Sequence, residues 1–436
     1  MAVQSTRNAS GSGGATPLRA SVVDLAPGAS TWDEFVGRSN PGSYLQTSAW
    51  AEVKAPNGWL PMRFIGTSIA ERAAAGEPVA MAGRGAIDGS GSTGVAEVAG
   101  VARAGEIIAG GYGGENEEPG EESDSGEQSE FGVQILIRKP RLFPWGFGYA
   151  PRGPIFQVWN AATLEAFTAA LRQAIASGPT RLSHVRIEPE IELNGPLDVD
   201  GEFRHALRQC GWRVGIPIQP PRTRQVDLRA EEAALWGDLR KKWRQYVNEA
   251  RKADVRVVEA TVERLPEFYA IYKETARRAG FVIRTYESYL GVWRAFARLG
   301  MARLLMAEGP DGVGLATLFL LRVGDRVVEP YGGMTEAGAE CRANYLLKWE
   351  AIRTSREAGA GSYDMWGISH EGIEHFKAGF GGREIKYVGA WDLVLDPAGR
   401  LAFDSAQVVQ DRVGAWRHGI RRVRGRPHAP TAEATE

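Results

Sequence analysis

Hydrophobic and polar positions alternate along the chain in two successive runs that repeat the same order of elements. In the first, Leu45–Val53 reads as a short helical approach ending at Lys54. Pro61–Gly66 has the period of a strand, and Val133–Lys139 reads as its return. Leu164, Phe167, Leu171 and Ile175 recur at helical spacing, with Thr163 placed as the N-cap. His184–Pro189 reads as a strand and Glu202–Gln209 as a short helix, ahead of the proline-rich junction Ile216–Pro221. Clustered prolines interrupt helix and sheet alike, so the boundary between halves is placed there.

The second run opens with a helix over Glu231–Ala253 that buries Leu235, Leu239, Trp243, Val247 and Ala250. Arg240, Lys241, Lys242, Arg244, Arg251 and Lys252 fall on its other face, which is either solvated or a surface for phosphates. A strand (Val255–Glu259), helices over Leu265–Ala279 and Tyr286–Leu299, and three strands (Ala302–Glu308, Gly314–Val323, Arg326–Gly332) follow. After a long helix, Asn344–Ala358, a strand over Ser362–Trp366 breaks at Gly367. A loop then carries Phe376-Lys377 among closely spaced glycines, and a second strand covers Glu384–Leu395. Helices before a strand meander, then a strand-helix-strand unit, give an α/β order of the N-acetyltransferase type.

Residues 1–20 and 67–132 stand outside this pattern. The first is rich in Ser, Gly and Ala; the second is Gly/Ala-rich and then acidic. Both are expected to be disordered, the second as an insertion at a hairpin tip. Net charge is −1, but eight acidic residues lie within Glu115–Glu130, and without them the remainder carries about +7. That excess suits polyanionic partners. A hydrophobic fraction of 43% with no run of about 18 apolar residues excludes a transmembrane helix. The N-terminus lacks the apolar core of a signal peptide. Two cysteines, Cys210 and Cys341, are too few for a disulfide framework and point to the cytoplasm, and six scattered histidines offer no metal set.

The glycine-dense stretch around Phe376-Lys377 is the chemical focus, because a lysine beside such a loop can meet an anion or a developing oxyanion. Nucleophilic triads and P-loops are absent in recognisable form. Acyl-CoA enzymes of this fold hold pyrophosphate at a glycine-rich helix start; here that stretch is Arg342-Ala343-Asn344-Tyr345-Leu346-Leu347, with Tyr345 where a glycine would admit phosphate.

Several motifs in order carry a resemblance. They are Leu45-Gln46-x-x-x-Trp50-x-x-x-Lys54 with Trp59, Pro151-Arg152-Gly153-Pro154, Ile218-Gln219-Pro220-Pro221, and Ala343–Ile352. Tyr363-Asp364, Trp366-Gly367-Ile368, Phe376-Lys377-x-Gly379-Phe380-Gly381 and Tyr387–Asp392 complete the set. Together, over residues 30–66 and 133–400, they resemble the FemABX family, the aminoacyl-tRNA-dependent transferases of peptidoglycan interpeptide bridges. The resemblance implies two tandem N-acetyltransferase-like (GNAT) domains with a cleft between them: 21–221 plus 389–410, then 222–388, with a basic tail at 411–436. It implies Lys54, Arg284 and Tyr331 as the grip on the precursor, with Tyr289 beside a Ser288 that departs from the family's tyrosine. Phe376 and Lys377 match the pair near the transferred acyl group, and Glu188 an acidic position on the cleft wall. The structural alternatives are a helix-capping Lys54, an Arg284–Glu287 pair and a core Tyr331.

The activity implied is transfer of Gly, Ala or Ser from aminoacyl-tRNA to the stem-peptide amine of UDP-MurNAc-pentapeptide or lipid II, by a monomer without a cofactor. An acyl-CoA N-acyltransferase, or a degenerate tRNA- or precursor-binding protein, is the alternative. The tail, with six arginines between Arg412 and Arg426, reads as an attachment to the inner membrane face, a tRNA contact or a solvated end.

Overall fold

The computed structural model describes residues 19–24, 28–69, 128–141 and 143–407. Its strands fall into two groups. The first is β1 (Arg19–Asp24), β2 (Leu60–Ile69), β3 (Gln128–Arg138), β4 (Gly146–Ala150), β5 (Ile155–Phe156), β6 (Leu182–Ile187) and β7 (Trp212–Val214). The second is β8 (Arg222–Asp227), β9 (Arg256–Ala260), β10 (Ala302–Glu308), β11 (Gly314–Val323), β12 (Arg326–Met334), β13 (Ser362–Asp364) and β14 (Arg383–Lys386), and the chain ends its strands with β15 (Trp391–Val394). One sheet runs β1-β2-β3-β4-β6-β15-β7 with β5 on β3; the other runs β14-β8-β13-β12-β11-β10-β9.

Each sheet contains an antiparallel meander followed by a helix and one parallel strand: β4 with β6 across helix Ala161–Ala176, and β12 with β13 across helix Ala343–Glu357. A parallel pair needs such a crossover, and the two sheets repeat one α/β order, as two tandem units of the kind the resemblance implied would. The parallel register in the second sheet covers only Arg326–Val328 against Ser362–Asp364, so β12 continues beyond its partner and the two chains part.

Three cores hold this together. Phe64, Phe131, Phe167 and Trp212 pack under the first sheet; Trp243, Val247, Leu347 and Trp349 pack under the second. The third joins both groups of elements: Trp32, Phe35, Leu45 and Ala49 pack against Phe268, Phe296 and Phe319. Fully burying one such side chain is worth about 1.5–3 kcal/mol. A buried ion chain adds to the join, since Arg326 bonds both Glu190 and Asp364, and Glu190 also lies 3.4 Å from Arg152.

Several elements differ from the sequence expectation. Arg19–Asp24 is a strand on β2, and β2 and β3 extend through 67–69 and 128–132, so both supposedly disordered segments are shorter than drawn. Residues 1–18, 70–127 and 408–436, including the basic tail, lie outside the described residues. Asn160, not Thr163, caps helix Ala161–Ala176, with Thr163 completing the reciprocal box three residues on. The expected helix over 231–253 is two, Glu232–Asp238 and Lys241–Lys252, because Leu239 and Arg240 take extended ψ values of 136° and 140°. The supposed loop around Phe376-Lys377 is a helix, Glu371–Ala378. The single strand over 384–395 is two strands in different sheets, β14 and β15. Trp391 and Leu393 sit in the first core, while Asp392 is held bidentately by Arg186 at 2.7 and 2.8 Å. These partners are far away in sequence, which is why local periodicity merged the two.

Candidate active site

A cavity of about 370 Å³ opens between the two groups of elements. Lys54 and Arg284 line it from opposite halves. Lys54 ends helix Ser48–Lys54, one turn after Trp50, so its ammonium lies 4.8 Å from the centre of the Trp50 ring. Arg284 comes from the segment ahead of helix Tyr286–Ala297. Burial, with repulsion from Arg284, lowers the Lys54 pKa to about 8. Neither cation has a carboxylate partner among the described residues. Two unpaired cations close enough to repel each other call for an anion between them.

Tyr331, on β12, lines the same cavity and its hydroxyl has no hydrogen-bond partner among the described residues. Burial raises its pKa to about 12, so it stays a neutral donor. Tyr289 does not reach the cavity. It is buried, its ring stands edge-on to Tyr331 at 5.1 Å, and its hydroxyl accepts from the Arg284 backbone N–H at 3.2 Å. It therefore positions two residues that do reach it. The Glu287 alternative for Arg284 is not realised.

Glu188 is buried behind the wall. It accepts from the backbone N–H of Ile218 and Gln219, each at 2.8 Å, and from Tyr149 at 3.0 Å. Burial raises its pKa, against the pull of those donors. Tyr149 and Gln219 line the cavity, so this carboxylate sets the shape of the wall without facing a substrate.

The expected catalytic pair is placed elsewhere. Phe376 is partly buried and packs with Tyr345 and Phe380 at 5.3 and 5.2 Å, against the second core. Lys377 donates to the carbonyls of Met365, Trp366 and Gly367 at 2.7, 3.0 and 2.6 Å. An ammonium has three hydrogens, and here each has a carbonyl. In this arrangement all three are engaged, and none is directed at the oxyanion site that the resemblance implied. Burial and then Lys348 lower its pKa to about 8. What the clamp fixes is the chain where β12 and β13 part, including Trp366 at a left-handed φ of 58°. Trp366 lines the cavity and packs on Tyr44 at 5.5 Å and under Arg152 at 5.2 Å.

Sequence reasoning quoted Trp50, Trp59 and Trp366 as motif residues but gave them no place in the site. The Trp50-x-x-x-Lys54 spacing, one helical turn, was the available signal. His184, Phe147 and Phe403 close the far end of the cavity, with the His184 ring 4.7 Å from Phe403. Burial, with Arg400 next, lowers the His184 pKa to about 4, so its ring is neutral near pH 7. The motif residues Gln46 and Arg152 are rivets: Gln46 bonds Pro151 and Gln134, and Arg152 donates to the Pro220 carbonyl at 2.8 Å.

A second cavity of about 300 Å³ lies by Glu192, Asp325 and Arg383. Its charges are paired, Arg383 with Glu192 and Arg229 with Asp325, each at 2.7 Å, so it offers no comparable anion site. Among the described residues no group of His, Cys, Asp and Glu is arranged to hold a metal, and no helix is long and apolar enough to cross a membrane.

Known proteins resemble this chain along most of its length. A lipid II:glycine glycyltransferase from Staphylococcus saprophyticus is 20% identical over 436 aligned residues, covering 84% of this chain and 91% of the relative. One from Staphylococcus haemolyticus is 19% identical over 338, covering 60% and 80%. The crystal structure of FemX matches with a TM-score of 0.65 at 18% identity, covering 86% of this chain and 98% of its own, and so shares the fold. The FemAB family model matches residues 124–310 and 297–409. The chain belongs to the FemAB family.

Proposed function

We propose that this protein is an aminoacyl-tRNA-dependent transferase that adds Gly, Ala or Ser to the stem-peptide amine of a peptidoglycan precursor during interpeptide bridge synthesis. The observation that carries the reading is the cavity with Lys54 and Arg284 unpaired across it, in a FemAB chain whose relatives are named lipid II:glycine glycyltransferases. A precursor brings the missing anion as its diphosphate, and Tyr331 donates to a phosphate or sugar oxygen beside it. The acceptor amine attacks the ester carbonyl of the donor. The tetrahedral intermediate then expels the ribose hydroxyl, which takes up the proton the amine gives away. An activated ester needs little beyond position for this, and the rigid wall built by Trp366, Tyr149 and Gln219 supplies it. The N-terminus of helix Ala343–Glu357 supports tRNA over CoA, because Tyr345 packs there against Tyr246 and Phe376 where pyrophosphate would lie.

The test is transfer of radiolabelled glycine, alanine or serine from charged tRNA to a muropeptide precursor. Label should enter the precursor and the reaction should stop when RNase is added first. RNase-insensitive transfer from acyl-CoA would overturn the reading, and binding without transfer from either donor would mark a degenerate relative.

A further inference from the structure

The mouth of the cavity is edged by large apolar side chains that stay exposed among the described residues. On the first-half side, Ile218 lines the cavity and is 57% exposed, and Ile216 is 74% exposed two residues earlier. The Ile216 carbonyl accepts from Arg186, itself a lining residue, at 2.9 Å, so this segment crosses the rim. On the second-half side, Gly280 ends helix Leu265–Ala279 with a φ of 74° and throws out Phe281 and Val282, which are 42% and 91% exposed. Arg284, two residues on, reaches into the cavity. Two chain segments from different halves thus bring apolar tips to one opening.

Cations flank these tips. Arg213 and Arg277 are exposed and have no carboxylate partner among the described residues. The carboxylates on the same segments are Glu274, which Arg278 pairs, and Glu287, in the first turn of the next helix. Apolar tips between unpaired arginines match an anionic bilayer interface, where the tips enter the acyl boundary and the arginines meet headgroup phosphates. Phosphate of an embedded precursor would then stand level with Lys54 and Arg284.

We infer that this rim is a membrane-docking surface for anionic phospholipid, so that the cavity opens directly onto the bilayer and takes a lipid-linked acceptor from it. The acceptor part rests on the function proposed above. Docking itself is measured without transfer, so its failure would leave that function standing.

The experiment is sedimentation of the full chain with phosphatidylcholine vesicles containing phosphatidylglycerol, and with phosphatidylcholine alone. The expected result is binding to the anionic vesicles at least about tenfold stronger than to the neutral ones. Val282→Asp combined with Ile216→Asp should lower it about tenfold without moving the melting temperature, since both side chains are already in water. If that pair melts lower, Val282→Ser with Ile216→Ser replaces it. Changing the six arginines between Arg412 and Arg426 to Gln should leave most of the binding. No binding to anionic vesicles, equal binding to both vesicle types, undiminished binding by the rim variants, or loss through the tail variant alone would each overturn the inference.

Discussion

An ammonium with a pKa of about 8 grips an anion only while protonated, and for Lys54 that places a limit on the working pH. Acceptor KM should be flat below neutrality and rise as pH climbs through about 8, where the charge is lost. Because Arg284 contributes to the lowering, Arg284→Met should move that rise to higher pH, which a KM profile from pH 6 to 10 would register. Lys54→Met should raise acceptor KM about ten- to a hundredfold at pH 7 with kcat nearly unchanged, as expected for a charge-assisted contact made in ground and transition states alike. Lys377→Met should behave differently. It strips donors from three carbonyls, so stability should fall by on the order of 3 kcal/mol in a denaturant titration, and Trp366 fluorescence should shift. Lys377→Arg should not restore it, because a planar fork cannot converge on three carbonyls around one point. Lys54, Arg284 and Tyr331 line one cavity, and of the three only Lys54 stands in a motif quoted from the sequence, the other two being positions that the resemblance implied. The carbonyl contacts of Lys377 were not legible, because its acceptors lie at the end of a strand ten to twelve residues earlier.

Elements were legible where a side-chain period is uninterrupted. The strands β10 and β11 and the helix Glu202–Gln209 fall where alternation and helical spacing put them. Where backbone conformation changes without a change in hydrophobic period, the pattern misleads. The break at Leu239 and Arg240 is of that kind, since Leu235, Leu239, Trp243, Val247 and Ala250 are all buried on either side of it. The glycines after Lys377 have a tertiary purpose as well: a Cβ at Gly379 would overlap the Trp243 indole, whose Nε1 donates to the Phe376 carbonyl at 3.0 Å. Gly379→Ala should therefore cost about 1–3 kcal/mol, seen as a lower melting temperature, while Gly237→Ala, with open space around it, should cost no more than a few tenths.

At the scale of the molecule, the join between halves decides whether the cavity exists. Arg326 is buried between Glu190 and Asp364, so Arg326→Met leaves Asp364 without a counter-charge and Glu190 with Arg152 alone, and should cost on the order of 3–5 kcal/mol. Burial opposes the Asp364 charge, yet Arg326 and Thr223 hold its pKa below 3.8. The stability it contributes is therefore present above about pH 4 and lost as pH falls through that lowered value, an acid limit that chemical denaturation at pH 3 and pH 6 would expose. The hairpin β2–β3 gives another check. Ile69 faces Gln128, so joining 69 to 128 through Asn-Gly should leave the melting temperature intact. The wider cut from 66 to 132, which periodicity alone would have allowed, removes the fully buried Phe131 and should destabilise the protein.

The central claim is that the cavity between the halves holds a peptidoglycan precursor while an amino acid is added to it. Mass spectrometry of muropeptides from a strain lacking this gene tests it most directly. Stem peptides should lose the mass of the bridge residue, regain it with the parental gene, and fail to regain it with the Lys54→Met, Arg284→Met double variant expressed at equal level. Muropeptides unchanged by the deletion, or fully restored by that double variant, would contradict the account.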